Sequence, residues 1–224
     1  MTTQIVTPVT IPIKNIVLEP GSVLTITDIT WEKFEAILEE LGEKRSARIA
    51  YSNGVLEIVS PLPAHERPNR IIGRIVTILL DARNLDWEDF GSTTFRRKKK
   101  QAGLEPDTCF YIGENAKRVR ECMMSMNLDV YPPPDLAIEA DVTSKATLEA
   151  YAGIQVPEVW IYNKGKLKIN LLNDGEYQES PTSLVFPDLP ITQLIPDRVQ
   201  QALQEGTSQV LRQLRQEIGG NDRT

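Results

Sequence analysis

The sequence predicts an α/β (α+β) domain built on a mixed central β-sheet flanked by helices, with an extended N-terminal arm and a C-terminal helix. Three observations predict it. Segments with apolar residues at helical spacing are separated by β-rich runs. The order is mixed: a helix, a hairpin, a helix, strands, a helix, then strands and a terminal helix, which fits one sheet with helices against its faces. The chain's 224 residues, 41% hydrophobic and 25% charged, have the length and composition of one sizeable soluble domain with terminal appendages. The expected division is an arm over 1–27, a core domain over 28–190 and a helical extension over 191–224.

The elements follow in order. Residues 1 to about 28 are rich in Thr, Val, Ile and Pro without helical period and read as an arm with one strand at most. Thr30 is placed to cap a helix in which Trp31, Phe34, Leu38 and Leu41 share a face and Gly42 stops the chain. "ARIAYSNGVLEIVS" holds two β-rich runs around Asn53-Gly54, a strong hairpin signal. After "PLPAHERPN" a second helix runs to about Ala82, with Ile71, Ile75, Ile78 and Leu79 as its stripe. "WEDFGSTTFRR" reads as one strand, followed by a basic connection and the strand "PDTCFYI". An irregular or briefly helical stretch closes at Pro132–Pro134, before the strand "DLAIEA". A short helix from about Ser144 to Gln155 leads into two strands joined at Asn163–Gly165, "SLVFP" is the last strand candidate, and "PDRVQQALQEGTSQVLRQLRQEI" forms a terminal helix.

Composition narrows the function classes. Cys109 and Cys122 sit in no metal-like spacing and suit a reducing compartment. There is no basic leader running into an apolar core and no run of about 18 apolar residues, so a soluble, cytoplasmic protein with no membrane partner is expected. The net charge of −6 argues against a surface that binds nucleic acid at large. A local exception is the run Arg96, Arg97, Lys98, Lys99 and Lys100, which reads either as a solvated hairpin tip or as a track for nucleic-acid phosphates.

The chemistry concentrates in "PDLAIEADVTSK". On a strand Asp135, Ala137, Glu139 and Asp141 point one way, and Leu136, Ile138 and Ala140 the other. Asp107 also opens an apolar strand, so neighbouring strands would bring Asp107 and Glu139 together. Two adjacent carboxylates repel unless a cation or a shared proton intervenes. Oxygen donors of this kind suit Mg²⁺ or Mn²⁺, and such an ion can polarise a phosphodiester and lower the pKa of an attacking water. Lys145, at the start of the following helix, is the nearest cation. The competing reading makes Asp107 and Asp135 ordinary strand openers after proline and puts Glu139 and Asp141 on a solvated face.

Taken in order, "GVLEIVSPLPAHE", "GSTTFRR", "EPDTCFYI", "PDLAIEADVTSK" and "YAGIQVPEVWIY" resemble the Uma-type family of bacterial restriction endonucleases over about residues 28 to 190. Members are similar in fold to the PD-(D/E)xK nuclease superfamily. The resemblance implies a restriction-endonuclease-like mixed sheet flanked by helices, with Asp107 as the first metal-binding aspartate and Glu139 as the glutamate of the second motif. The superfamily lysine two residues after that glutamate is here Asp141. Where some members carry a helix lysine about four residues before the tyrosine matching Tyr151, this chain has Thr147. Lys145 is then the substitute, or the site has no catalytic lysine. Glu57 on the hairpin strand and His65, the only histidine, are secondary candidates; an exposed strand face and a locally bonded helix start are their structural alternatives. Trp160 and Tyr162 read as core or interface.

These readings lead to a divalent-metal-dependent endonuclease acting on DNA, with Asp107, Glu139 and Lys145 as its catalytic set. Two alternatives remain at this stage: a nuclease-fold module that binds nucleic acid without turnover, and a homodimeric interaction protein using the arm or the terminal helix. On that helix Val199, Leu203, Val210, Leu211 and Leu214 make an apolar stripe that packs either on its own domain or on a partner.

Overall fold

In the computed structural model the described residues are 10–42, 45, 47–122, 126–140 and 145–220; for Pro63, His65, Lys145 and Gly220 only the main chain is described. The predicted α/β fold, a mixed sheet flanked by helices, is present, and a second sheet that the sequence reading did not separate accompanies it. One is a five-stranded antiparallel sheet of β1 (Val23–Ile26), β3 (Val55–Val59), β2 (Arg48–Ser52), β6 (Ala102–Leu104) and β5 (Phe95–Arg97), in that order. The other is a six-stranded mixed sheet ordered β11 (Glu176–Ser180), β10 (Lys166–Asn173), β9 (Glu158–Asn163), β8 (Leu136–Ala140), β7 (Thr108–Ile112) and β4 (Trp87–Asp89), in which β8 and β9 run parallel.

Three cores stack across these sheets. Helix α1 (Trp31–Leu41) covers the outer face of the five-stranded sheet, with Phe34 stacked on Tyr51 at 4.5 Å between ring centroids. Its ends are as predicted: the Thr30 hydroxyl accepts from Lys33 N at 3.3 Å, and Gly42 takes φ 69° at the C-cap. Helix α4 (Lys145–Ile154) lies between the sheets, where Ala150, Tyr151 and Ile154 pack with Ala102 and Leu104 of one and Cys109, Ala137 and Val159 of the other. Helices α2 (Pro63–Ala82), α5 (Ile191–Glu205) and α6 (Thr207–Gly220) cover the outer face of the six-stranded sheet over Phe110, Leu136, Ile138 and Trp160. Val199, Val210, Leu211 and Leu214 are buried in this core, so most of the terminal apolar stripe packs on its own domain; Leu203 stays exposed.

Several element boundaries differ from the sequence reading, each for a physical reason. "WEDFGSTTFRR" is two strands in different sheets, because the turn around Gly91 (φ 51°) redirects the chain between β4 and β5. The basic connection contains a strand, β6, hidden by its small residues Ala102 and Gly103. "SLVFP" forms no strand: Ser183 caps the Phe186 amide and Glu158 holds the amides of Leu184 and Val185 at 2.8 and 3.2 Å. Polar β11 supplies the edge strand instead, paired to β10. Helix α2 begins at Pro63, before the expected start; Pro63 suits the first turn, while Pro68, inside the helix, lacks the N–H that would bond the Ala64 carbonyl. The terminal helix is two helices hinged at Gly206, whose φ of 104° few other residues adopt.

The close approach of α4 to β6 sets the spacing of the two sheets. A Cβ added at Gly153 would fall 2.4 Å from the Ala102 Cβ, and one at Gly103 would fall 2.9 Å from the Phe34 ring. Gly153→Ala is therefore expected to destabilise the protein by about 1–3 kcal/mol through overpacking, despite the better helix propensity of alanine. Adding Ala102→Gly should recover part of the loss; urea unfolding of the single and double variants checks both outcomes.

Candidate active site

Asp107 stands where the chain leaves one sheet for the other. β6 ends at Leu104, Glu105–Pro106–Asp107 crosses the gap, and β7 begins at Thr108. Thr108 pairs with Ile138 across the antiparallel β7–β8 ladder, so the next step of the register sets Asp107 opposite Glu139. Both line a cleft of about 120 Å³ that the five-stranded sheet completes with Arg48 and Glu57 and the start of α2 completes with Glu66.

Each acid is held by specific contacts. The Ala140 amide donates to Asp107 Oδ2 at 2.9 Å, and Arg48 Nε lies 3.5 Å from Asp107 Oδ1. Glu139 is buried, and the Tyr151 hydroxyl of α4 donates to its Oε1. Burial pushes the Asp107 carboxyl above the usual aspartate range, offset by the Ala140 amide and Arg48 and reinforced by Glu66. Glu139 is pushed well above the usual glutamate range, first by burial and then by the charge of Asp107, while the Tyr151 hydrogen bond works the other way. The Tyr151 phenol is itself pushed well up, by burial and then by Glu139.

The remaining predicted residues fall as follows. Glu57 is not on an exposed face: it is buried in the cleft wall, with Thr147 Oγ1 3.4 Å from its Oε2. Lys145 opens α4, whose Thr147 lines the cleft, but its side chain lies outside the described residues. His65 sits in the first turn of α2, one residue before the cleft residue Glu66, and its side chain is likewise outside the description. Asp141 lies wholly outside it. Asp135 is a local brace, its carboxylate accepting from Ile112 N and Asn115 Nδ2, both at 2.7 Å. Trp160 and Tyr162 are core residues.

The basic run is not part of this cleft among the described residues. Arg96 pairs with Glu35 at 3.3 Å, Arg97 bonds the Ile154 carbonyl and Gln155, and Lys98 lies 3.9 Å from Glu32. Arg96 and Lys98 line a second, wider groove of about 960 Å³, which shares Arg48 and Glu105 with the acid cleft. Sequence reasoning missed Arg48. The hairpin register offered a signal: Ala50 pairs with Glu57, and Arg48, two residues earlier, shares its face.

Among the described residues no group of three or more His, Cys, Asp or Glu is arranged to hold a metal ion. The two facing carboxyls, both driven toward the neutral form by burial, with Glu66 adding to this at Asp107 and Asp107 adding to it at Glu139, nevertheless offer the hard oxygen donors that Mg²⁺ or Mn²⁺ takes from a protein while keeping several waters. Asp107 and Glu139 thus fit a divalent cation.

The buried Glu139 and the half-buried Asp107 thus face each other from neighbouring strands of the mixed sheet at one cleft. Residues 31–204 match the Uma2 family, described as "Putative restriction endonuclease", and the chain belongs to that family. Four chains of known structure match. One is a crystal structure at 1.96 Å of "a putative nuclease belonging to DUF820" from Anabaena variabilis ATCC 29413, with 16% identity, a TM-score of 0.49, and coverage of 76% of this chain and 97% of that one. No curated protein matches. No helix among the described residues is long and apolar enough to cross a membrane.

The raised proton affinity of Glu139 has a definite sign. A carboxyl whose pKa is higher in the folded state adds stability below its ordinary value of 4.5, and that contribution is lost as pH rises through the raised value. Gln at this position imitates the protonated acid, accepting from Tyr151 and donating to Asp107. In metal-free buffer Glu139→Gln should gain melting temperature relative to wild type as pH rises from about 4.5. Tyr151→Phe should move the midpoint of the wild-type loss upward. Thermal melts across pH read both; a difference that stays flat with pH would mean that Glu139 ionises freely.

Proposed function

We propose that this protein is a divalent-metal-dependent endonuclease that hydrolyses phosphodiester bonds, with DNA as its substrate. The observation that carries the reading is the Asp107–Glu139 pair: two carboxyls held opposite each other in one cleft, both with raised pKa. Membership of a family whose description is "Putative restriction endonuclease" supports the choice of reaction.

In this reading Asp107 and Glu139 hold Mg²⁺ or Mn²⁺, which when bound supplies charge for the scissile phosphate and acidity for the attacking water. The protein's own groups do the positioning. Ala140 N fixes one Asp107 oxygen, and Tyr151 fixes the Glu139 carboxyl from the far side. Lys145, which opens α4 two residues before the cleft residue Thr147, is the catalytic cation of this reading, and Glu57 is a further acid of the wall. Arg96 to Lys100 contribute to DNA binding from the rim of the wider groove, through Arg96 and Lys98 first.

Cleavage of plasmid DNA in Mg²⁺ or Mn²⁺ tests the assignment. Glu139→Ala and Asp107→Ala should each remove several kcal/mol of transition-state stabilisation, on the order of a thousand-fold or more in rate, with the fold retained by circular dichroism. Calorimetry on EDTA-stripped protein should show metal binding by wild type that the Glu139→Ala variant loses. Cleavage by that variant at the wild-type rate would defeat the assignment, and DNA binding without metal-dependent cleavage would favour a module that binds nucleic acid without turnover.

A further inference from the structure

Arg48 is the described cation in the wall of the acid cleft, and its contacts there are loose. It opens β2 with a side chain only 22% exposed, yet it makes two long ion pairs, Nε to Asp107 Oδ1 at 3.5 Å and Nη2 to Glu66 Oε1 at 3.6 Å. The buried Nε has no partner in hydrogen-bonding geometry. Leaving a buried charged donor without a hydrogen bond is costly, and in native proteins such groups are few. The neighbouring Arg45 likewise has its buried Nε outside hydrogen-bonding geometry, but its terminal nitrogens donate to Glu105, Thr94 and the Gly42 carbonyl, whereas those of Arg48 make, among the described residues, only the long ion pair to Glu66.

Position adds to this. Arg48 lines both the acid cleft and the wider groove that carries Arg96 and Lys98. A polymer lying along that groove with one phosphate at the acid pair must pass Arg48. Its planar guanidinium suits two phosphoryl oxygens better than the single loose contacts it makes to Asp107 and Glu66.

Resting on the nuclease reading above, we infer that Arg48 binds a phosphodiester oxygen of the substrate at the junction of cleft and groove, supplying charge where the second-motif lysine is absent. Without substrate the same guanidinium screens Asp107 and competes with a divalent cation for it. Removing Arg48 therefore has two effects of opposite sign: the empty site takes a metal ion more readily, and the substrate phosphate binds less well. A residue that merely supported the cleft would weaken both.

The test uses the full chain as wild type, Arg48→Gln and Arg48→Lys. Mn²⁺ binding is measured by calorimetry, and binding of a short fluorescent duplex by anisotropy in Ca²⁺ over a salt series. Arg48→Gln should bind Mn²⁺ several-fold more tightly and bind the duplex about ten- to a hundred-fold more weakly, with the salt slope reduced by about one. Arg48→Lys keeps the charge without the fork and should lie between, which also serves if the Gln variant is poorly folded. Unchanged duplex affinity and salt slope in both variants, or no duplex binding by wild type, overturns the inference. Weakened Mn²⁺ binding in Arg48→Gln also overturns it, in favour of a supporting role. A wild type that neither binds Mn²⁺ nor cleaves, but loses duplex affinity through Arg48→Gln, would sink the nuclease reading and leave Arg48 as a phosphate contact. A wild type that cleaves, with duplex binding indifferent to Arg48, gives the reverse.

Discussion

A pair of facing carboxyls, one buried and one largely so, opposes folding, and the structure around Asp107 and Glu139 is arranged to hold them in spite of it. Ionised together in a medium of low polarity they repel, so each group nearby offsets a part of that cost. The Ala140 amide takes one oxygen of Asp107, Arg48 stands near the other, and Tyr151 reaches Glu139 from a helix packed against both sheets. None of these alone neutralises the pair, which retains raised proton affinity. Such a site stays poised to accept a positive charge. This is the link between the packing of the fold and its chemistry.

The two-sheet architecture explains how so many polar groups converge. A single sheet would have offered Asp107 and Glu139 on adjacent strands and solvent above them. Here the short bridge Glu105–Pro106–Asp107 carries the chain from one sheet to the other, and the second sheet faces the acid pair with Arg48 and Glu57. Helix α4 fills the rest of the interval. Its contact with β6 is close enough that position 153 tolerates only glycine without displacement, so Thr147 and Tyr151 are delivered at fixed depth.

Much of the candidate site was legible in the sequence because the signals were local. Two prolines set Asp107 and Asp135 at strand starts, strand alternation placed Glu139 toward the cleft, and Thr30, Gly42 and Asn53-Gly54 marked their caps and turn. What was not legible depended on partners distant in the chain. β6 is too small and glycine-bearing to announce itself as a strand, so the second sheet went unrecognised and with it the company Arg48 keeps. The polar edge strand β11 lacks a hydrophobic face, and β10 alone determines its pairing. The basic run carried a strong charge signal, but the acids that partly occupy it, Glu32 and Glu35, lie more than sixty residues earlier on α1.

The cleft also lies between two layers that each carry an outer apolar cluster and are joined by the shared core around α4. α1 and the outer face of the five-stranded sheet form one apolar cluster, while α2, α5 and α6 over the six-stranded sheet form another. Partial opening that loosens the smaller layer would take Arg48 and Glu57 away and leave the β7–β8 ladder, with both acids of the pair, intact. In such an opening the candidate site would be taken apart at a free energy below that of global unfolding, which hydrogen exchange on β2 and β3 against β7 and β8 would read.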